Sequence, residues 1–212
     1  MINVIEYDEG LPISVIIPTS KDKVRKDFFE NYVLPLIDAN QPKEIIINDD
    51  LGGAPKKRND GFKKSTQPFI FFCDNDIILP KNHFEKLLDA LNKNPNKAYA
   101  YSGYIGIVIN AINHPLKNNF MIPTIPFNGN NLKYGNYIST MSLIRRELFC
   151  GFDENLKRLQ DWDMYLTMLK SGREGVAVFN NEFYAYYLDS GITSNNNSEI
   201  DAINAIRAKH NF

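Results

Sequence analysis

The chain has 212 residues, of which 43% are hydrophobic, 23% charged and 12% aromatic, a globular composition that excludes a disordered chain and supplies core material for one domain. A net charge of -1 excludes the basic footprint of a nucleic-acid binder, although Lys56, Lys57, Lys63 and Lys64 form a local patch suited to small anions. Two cysteines, Cys73 and Cys150, and three histidines without ligand spacing exclude a disulfide scaffold and a zinc site.

The N-terminus, Met1 to Glu6, has no basic region followed by an apolar core, so it is not a signal peptide. No apolar run approaches the roughly 18 residues of a membrane helix. A soluble protein in a reducing, cytoplasmic compartment is expected.

In chain order, Ile13 to Ile17 is β-branched and, apart from Ser14, apolar throughout, as a strand buried on both faces is, and Pro18 ends it. Residues Lys23 to Ala39 carry Phe28, Tyr32 and Leu36 four apart, which predicts a helix. A second strand, Glu44 to Asn48, ends at Asp49-Asp50, and Gly52-Gly53 breaks the chain before a short helix around Lys56 to Lys63. A third strand, Phe69 to Cys73, ends at Asp74-Asn75-Asp76. Pro80 then opens a helix over Asn82 to Leu91, striped by Phe84, Leu87, Leu88 and Leu91.

The later chain is less regular. Ala98 to Asn110 reads as one or two strands, Ala111 to Asn136 as loops, and Tyr137 to Ile144 as a strand. A helix from about Asp161 to Lys170 ends at Gly172. Late strands over Val176 to Phe179 and Phe183 to Leu188 and a helix over Ser198 to Lys209 complete the series. Strand and helix alternate in the first half, which predicts an α/β domain with a mainly parallel central sheet and flanking helices. Ligands bind such sheets beyond the carboxyl ends of the strands, where Pro18-Thr19, Asp49-Asp50 and Asp74-Asn75-Asp76 converge.

Three groups of residues carry chemistry. In extended chain, Asp74 and Asp76 share a face and aim their carboxylates at one point, as hard divalent ions require. An isolated Asp-x-Asp is more often a turn, and the strand end in an α/β pattern is what favours function here. Asp161 and Asp163 open a helix, where an Asp is a common cap, and their spacing puts them on different faces. Trp162, Leu166 and Leu169 form a stripe that suits a core. Arg58 with Lys56 and Lys57 near a strand end suits a diphosphate, though a solvated basic face is the commoner fate.

These pieces, in order, resemble the inverting family 2 glycosyltransferases of the GT-A fold. Ile13 to Thr19 resembles the opening strand, and Ile45 to Asp50 the second strand with its acidic end. Lys57-Arg58-Asn59-Asp60-Gly61 resembles the Ala-Arg-Asn-x-Gly motif. Asp74-Asn75-Asp76 resembles Asp-x-Asp, Gly151-Phe152-Asp153-Glu154 the Gly-Phe-Asp-Glu segment, and Gln160-Asp161-Trp162-Asp163 the Glu-Asp-x-Asp motif. The resemblance covers roughly residues 12 to 194.

It implies a Rossmann-like nucleotide half over about 1 to 103 and an acceptor half over about 104 to 212, in one domain. It implies a nucleotide-sugar donor, UDP by default or dTDP, a glycan acceptor and a Mn²⁺ or Mg²⁺ ion. Pro18, Thr19, Asp49, Asp50, Arg58, Asp74, Asn75 and Trp162 would bind the donor, Asp74 and Asp76 the metal, and Asp161 would be the general base. Three departures stand out. Leu51-Gly52-Gly53 follows the second acidic pair, Gln160 replaces the usual Glu, and no histidine occupies the late metal position, which leaves Asp189 as the candidate there.

The Asn- and Lys-rich style also resembles a glycosyltransferase domain of a large algal virus, which implies further domains in a longer polypeptide and a host-cytoplasm location. The alternatives are a catalytically degenerate GT-A domain that binds nucleotide or glycan, and a sugar nucleotidyltransferase.

Overall fold

The computed structural model describes residues 1–19, 22–109, 118–187 and 197–212, with the side chains of 197 and 198 left aside. Its elements in chain order begin with β1 (Ile2–Glu6), β2 (Leu11–Pro18), α1 (Lys23–Phe28), a π-helical turn (Phe29–Val33), α2 (Leu34–Asp38) and β3 (Pro42–Asn48). They continue with α3 (Ala54–Lys64), β4 (Phe69–Phe72), β5 (Ile77–Ile78), α4 (His83–Lys93), β6 (Tyr99–Tyr101) and β7 (Tyr104–Val108). The last are β8 (Phe120–Ile122), α5 (Gly129–Tyr134), β9 (Ser142–Arg145), α6 (Gln160–Lys170), β10 (Gly175–Ala177), β11 (Phe183–Tyr187) and α7 (Asn197–His210).

The main sheet has the order β1-β3-β2-β4-β9-β6-β10. Strands β3, β2 and β4 pair in parallel, as the strand-helix alternation predicts. The sheet is nonetheless mixed. Strand β1 pairs antiparallel with β3, and β9 inserts antiparallel between β4 and β6. A smaller sheet, β5-β11-β7-β8, stands beside it.

Alternation along the buried strands splits the core between two faces of the sheet. Ile13, Val15 and Ile17 face one way with Phe69 and Phe71, against Val33, Ile37, Phe84, Leu87 and Leu91 of the helical layer. Ile16, Ile46, Ile70 and Phe72 face the other, against Phe149, Phe152, Trp162, Tyr165 and Leu166. Each such side chain contributes about 1.5–3 kcal/mol when fully buried. Helix α3 lies so close to β2 that a Cβ added at Gly61 would fall 2.5 Å from Cγ2 of Ile16. The glycine of the Lys57-to-Gly61 motif is therefore a packing requirement.

Several elements differ from the sequence reading. The Lys23-to-Ala39 helix is interrupted by the π-helical turn, and Pro35 lies in the first turn of its last segment, which starts at Leu34. The stretch read as loops holds β8 and α5, the latter capped by Asn128, whose side chain accepts from the N–H groups of Asn130 and Asn131. Strand β1 had no pattern to mark it, because none of its residues is buried and its antiparallel pairing with β3 is what holds it in the sheet. Among the described residues, no helix is long and apolar enough to cross a membrane.

Candidate active site

Strands β2 and β4 end side by side, so the residues after them share one edge of the sheet. Pro18 and Thr19 lie at one strand end, and Asp74, Asn75 and Asp76 at the other. The start of α3 brings Lys57 and Arg58 over them, and the start of α6 faces them with Gln160 and Asp161. Together these residues line a cleft of about 550 Å³.

Arg58 joins the two sides. It is 5% exposed, and its Nη2 lies 2.5 Å from Oδ1 of Asp74. Its Nη1 donates to Oε1 of Gln160 at 3.4 Å, and its guanidinium carbon stands 5.4 Å from the centre of the Phe152 ring. A neutral Gln160 leaves the Arg58 charge to Asp74 and to whatever anion enters the cleft. Lys57 donates through Nζ to the carbonyl of Thr19 at 2.6 Å, which ties α3 to the end of β2. Asn59 binds the next motif. It donates to the carbonyl of Phe152 and accepts from its N–H, both at 2.9 Å.

Asp76 pairs with Arg25 of α1, whose Nη1 is 3.3 Å from Oδ2. Burial and the neighbouring charge of Asp74 push the Asp76 carboxyl up to about 7, against the opposing pull of Arg25. A carboxylate in that condition is relieved by a cation. Two oxygen-donor side chains at one cleft wall fit part of the shell that a hard divalent ion requires. They do not make a closed protein cage: among the described residues, no group of three acidic, histidine or cysteine side chains could hold an ion. Asp189 lies outside the described residues.

Asp161 lines the opposite wall, where its Oδ1 accepts the N–H of Trp162 at 2.9 Å. Burial raises its carboxyl above the ordinary range, with the Trp162 N–H and the Arg58 charge pulling the other way. A carboxylate made more basic in this way can take a proton from a hydroxyl presented to the cleft. Leu159, two residues earlier and immediately before α6, holds a left-handed backbone at φ 57°, an uncommon conformation for a bulky residue, at the point where the chain turns into the helix.

Not every candidate lies here. Trp162 is 3% exposed, packs into the core and donates its indole N–H to the carbonyl of Leu132 at 2.6 Å; it does not line the cleft. The stripe it forms with Leu166 and Leu169 turns it away from Asp161. Asp49 and Asp50 do not line the cleft either, and both pair with the amino group of Met1. Conversely, Arg25, Thr140, Lys157, Arg158 and Tyr187 line the cleft and were not candidates. The adjacent Lys157 and Arg158, just before the Asp161 helix, offered a local charge signal; Arg25 and Tyr187 offered none. Five basic residues (Arg25, Lys57, Arg58, Lys157 and Arg158) thus face three acidic ones (Asp74, Asp76 and Asp161), so the cleft favours an anion.

A mixed α/β sheet with an acidic pair beyond β4 and a carboxylate opening a late helix defines a domain of the GT-A type. Residues 21–152 match the model of Glycosyl transferase family 2, and the chain belongs to that family. Over 144 residues it is 28% identical to an uncharacterized glycosyltransferase of Haemophilus influenzae, covering 61% of this chain and 45% of the relative.

Crystal structures of S. aureus TarS share the fold. The complex with UDP superposes with a TM-score of 0.57 at 15% identity, covering 93% of this chain and 64% of that one. The complex with UDP-GlcNAc gives 0.57 at 16% identity, covering 87% and 61%. The chain therefore spans about half to two thirds of the length of these relatives.

Proposed function

We propose that this chain is the catalytic domain of a metal-dependent inverting glycosyltransferase that moves a sugar from a nucleoside diphosphate donor, UDP by preference, to a hydroxyl of a glycan or glycoconjugate. The observation that carries this is the single cleft in which Asp74 and Asp76 stand on one wall, Asp161 on the other, and basic side chains between them. The family membership and the UDP and UDP-GlcNAc complexes of a protein with the same fold support the nucleotide-sugar donor.

In this reading Arg58 and Lys57 draw the diphosphate against the strand ends, and Thr19 and Asn75 line its seat. Asp74 and Asp76 hold the divalent ion, which when bound offsets the negative charge that grows on the departing diphosphate. Asp161 orients the acceptor hydroxyl and accepts its proton as the acceptor oxygen bonds to the anomeric carbon. The bond from that carbon to the diphosphate oxygen breaks on the far side, and its electron pair leaves with the diphosphate. One displacement of this kind inverts the anomeric centre, through an oxocarbenium-like transition state.

The test is a panel of nucleotide sugars assayed for release of nucleoside diphosphate, with Mn²⁺ and with chelator, beside calorimetric binding of UDP. Turnover of a UDP-sugar that needs the ion, and loss of Mn²⁺-dependent UDP binding in Asp76→Ala, are the expected results. Unchanged binding in that variant would remove Asp76 from the metal site. Binding of donor without turnover on any acceptor would leave the degenerate, binding-only domain as the better account.

A further inference from the structure

The two carboxylates of the acidic pair are balanced by different arginines, and the two arginines are held differently. Arg58 is fixed from three directions, by Asp74, Gln160 and the ring of Phe152. Arg25 comes from α1 on the other flank of the cleft, where the helix is anchored by Asp22, whose carboxylate accepts the Arg25 N–H at 3.0 Å. Its side chain is 17% exposed, lines the cleft, and meets Asp76, itself 22% exposed, at 3.3 Å.

We propose that Arg25 is a resident counter-cation of Asp76 which couples the arrival of the metal to the arrival of the donor diphosphate. The proposal rests on the reading of Asp76 as a metal ligand. A guanidinium at 3.3 Å from the carboxylate oxygen competes with a divalent ion for that oxygen. When the ion takes Asp76, Arg25 is released beside Lys57, Arg58 and Arg158, in a cleft where basic residues already outnumber acidic ones. That position is unfavourable until an anion enters, and the diphosphate is an anion that a planar guanidinium fork binds well. Ion and diphosphate each remove the other's obstacle, so each tightens the binding of the other by the same factor. Arg25 thus keeps the site from filling with metal alone.

Mn²⁺ binding to the full chain, measured by calorimetry without nucleotide and with saturating UDP, tests this. Wild type binds Mn²⁺ weakly alone and more tightly with UDP. In R25Q the affinity for Mn²⁺ alone rises about tenfold and the enhancement by UDP shrinks by the same factor, a coupling of ordinary size. R25M gives a second uncharged variant, R25K retains the charge and most of the coupling, and circular dichroism verifies that each is folded. If R25Q and R25M leave both Mn²⁺ affinities unchanged while wild type shows coupling, the role of Arg25 is overturned and the metal reading stands. If wild type binds no Mn²⁺ even with saturating UDP, the metal reading falls and this inference falls with it.

Discussion

The carboxamide of Asn59 reads the backbone of Phe152 on both sides, donating to its carbonyl and accepting from its N–H at 2.9 Å each. Two motifs far apart in the chain are thereby one structural unit. The ring so positioned lies under the guanidinium of Arg58, which in turn holds Asp74. Replacing Asn59 with Ala leaves both polar groups of a residue that is 5% exposed without partners. Asn59→Ala is expected to cost about 2–4 kcal/mol in urea unfolding and to weaken UDP binding through Arg58. Asn59→Asp does not rescue, because it places acceptor oxygens against the Phe152 carbonyl and the Glu154 carboxylate, to which Asn59 now donates at 2.9 Å.

Gly61 is a glycine for reasons of space. Helix propensity alone would make Gly61→Ala stabilising by about 1 kcal/mol. The added Cβ, 2.5 Å from Ile16, forces α3 and β2 apart, and overpacking of this kind costs about 1–3 kcal/mol. A net loss of stability is expected. Combined with Ile16→Ala, which removes the obstructing methyl, the two changes together cost less than their sum; strict additivity in a double-mutant cycle would refute the steric account.

Asp161→Asn is expected to keep the fold and UDP binding and to lose transfer activity. Burial holds the Asp161 carboxyl above its unfolded value, so in this range the folded state binds more protons than the unfolded state. Stability from this group is therefore lost as pH rises toward its folded pKa, and the charged form is a burden at neutral pH. The asparagine variant should melt no lower than wild type at neutral pH. In wild type the acidic limb of kcat/KM for the acceptor, measured with donor and ion saturating, lies above the ordinary carboxyl range of about 4.

His83 opens α4 fully buried, with its ring edge-on to Phe71, Phe84 and Phe183 at centroid distances of 5.8, 6.1 and 6.0 Å. Burial lowers it to about 3. Below the unfolded value of about 6.5 the unfolded chain takes up a proton that the folded chain refuses, so stability falls as pH falls from 6.5 and is fully present above it. Between pH 7.5 and 5 this one site removes about 2 kcal/mol. His83→Phe should flatten that part of the stability profile in urea titrations at the two pH values. Equal acid sensitivity in both proteins would place the proton uptake elsewhere.

Much of the first half of the chain was legible from local pattern, because burial on both faces of a sheet needs the β-branched runs at Ile13 to Ile17 and Glu44 to Asn48. The strand ends then located Thr19, Asp74, Asn75 and Asp76, and spacing alone separated Asp161 from Asp163. The later half was harder. Strand β9 is four residues long and takes its place between β4 and β6 by pairing with residues about 41 to 76 positions away, which no local periodicity records.

By itself the sequence determined which segments must be buried, which carboxylates end a strand, and which family the ordered motifs belong to, since these follow from the chemistry of adjacent residues. Only the tertiary structure decided what stands opposite what. The rotation of α6 sends Trp162 into the core and Asp161 to the cleft, and the path of α1 brings Arg25 to Asp76 across 51 positions. Long-range charge pairs are set by how packed layers meet, and that geometry is written across the whole chain and not in any stretch of it.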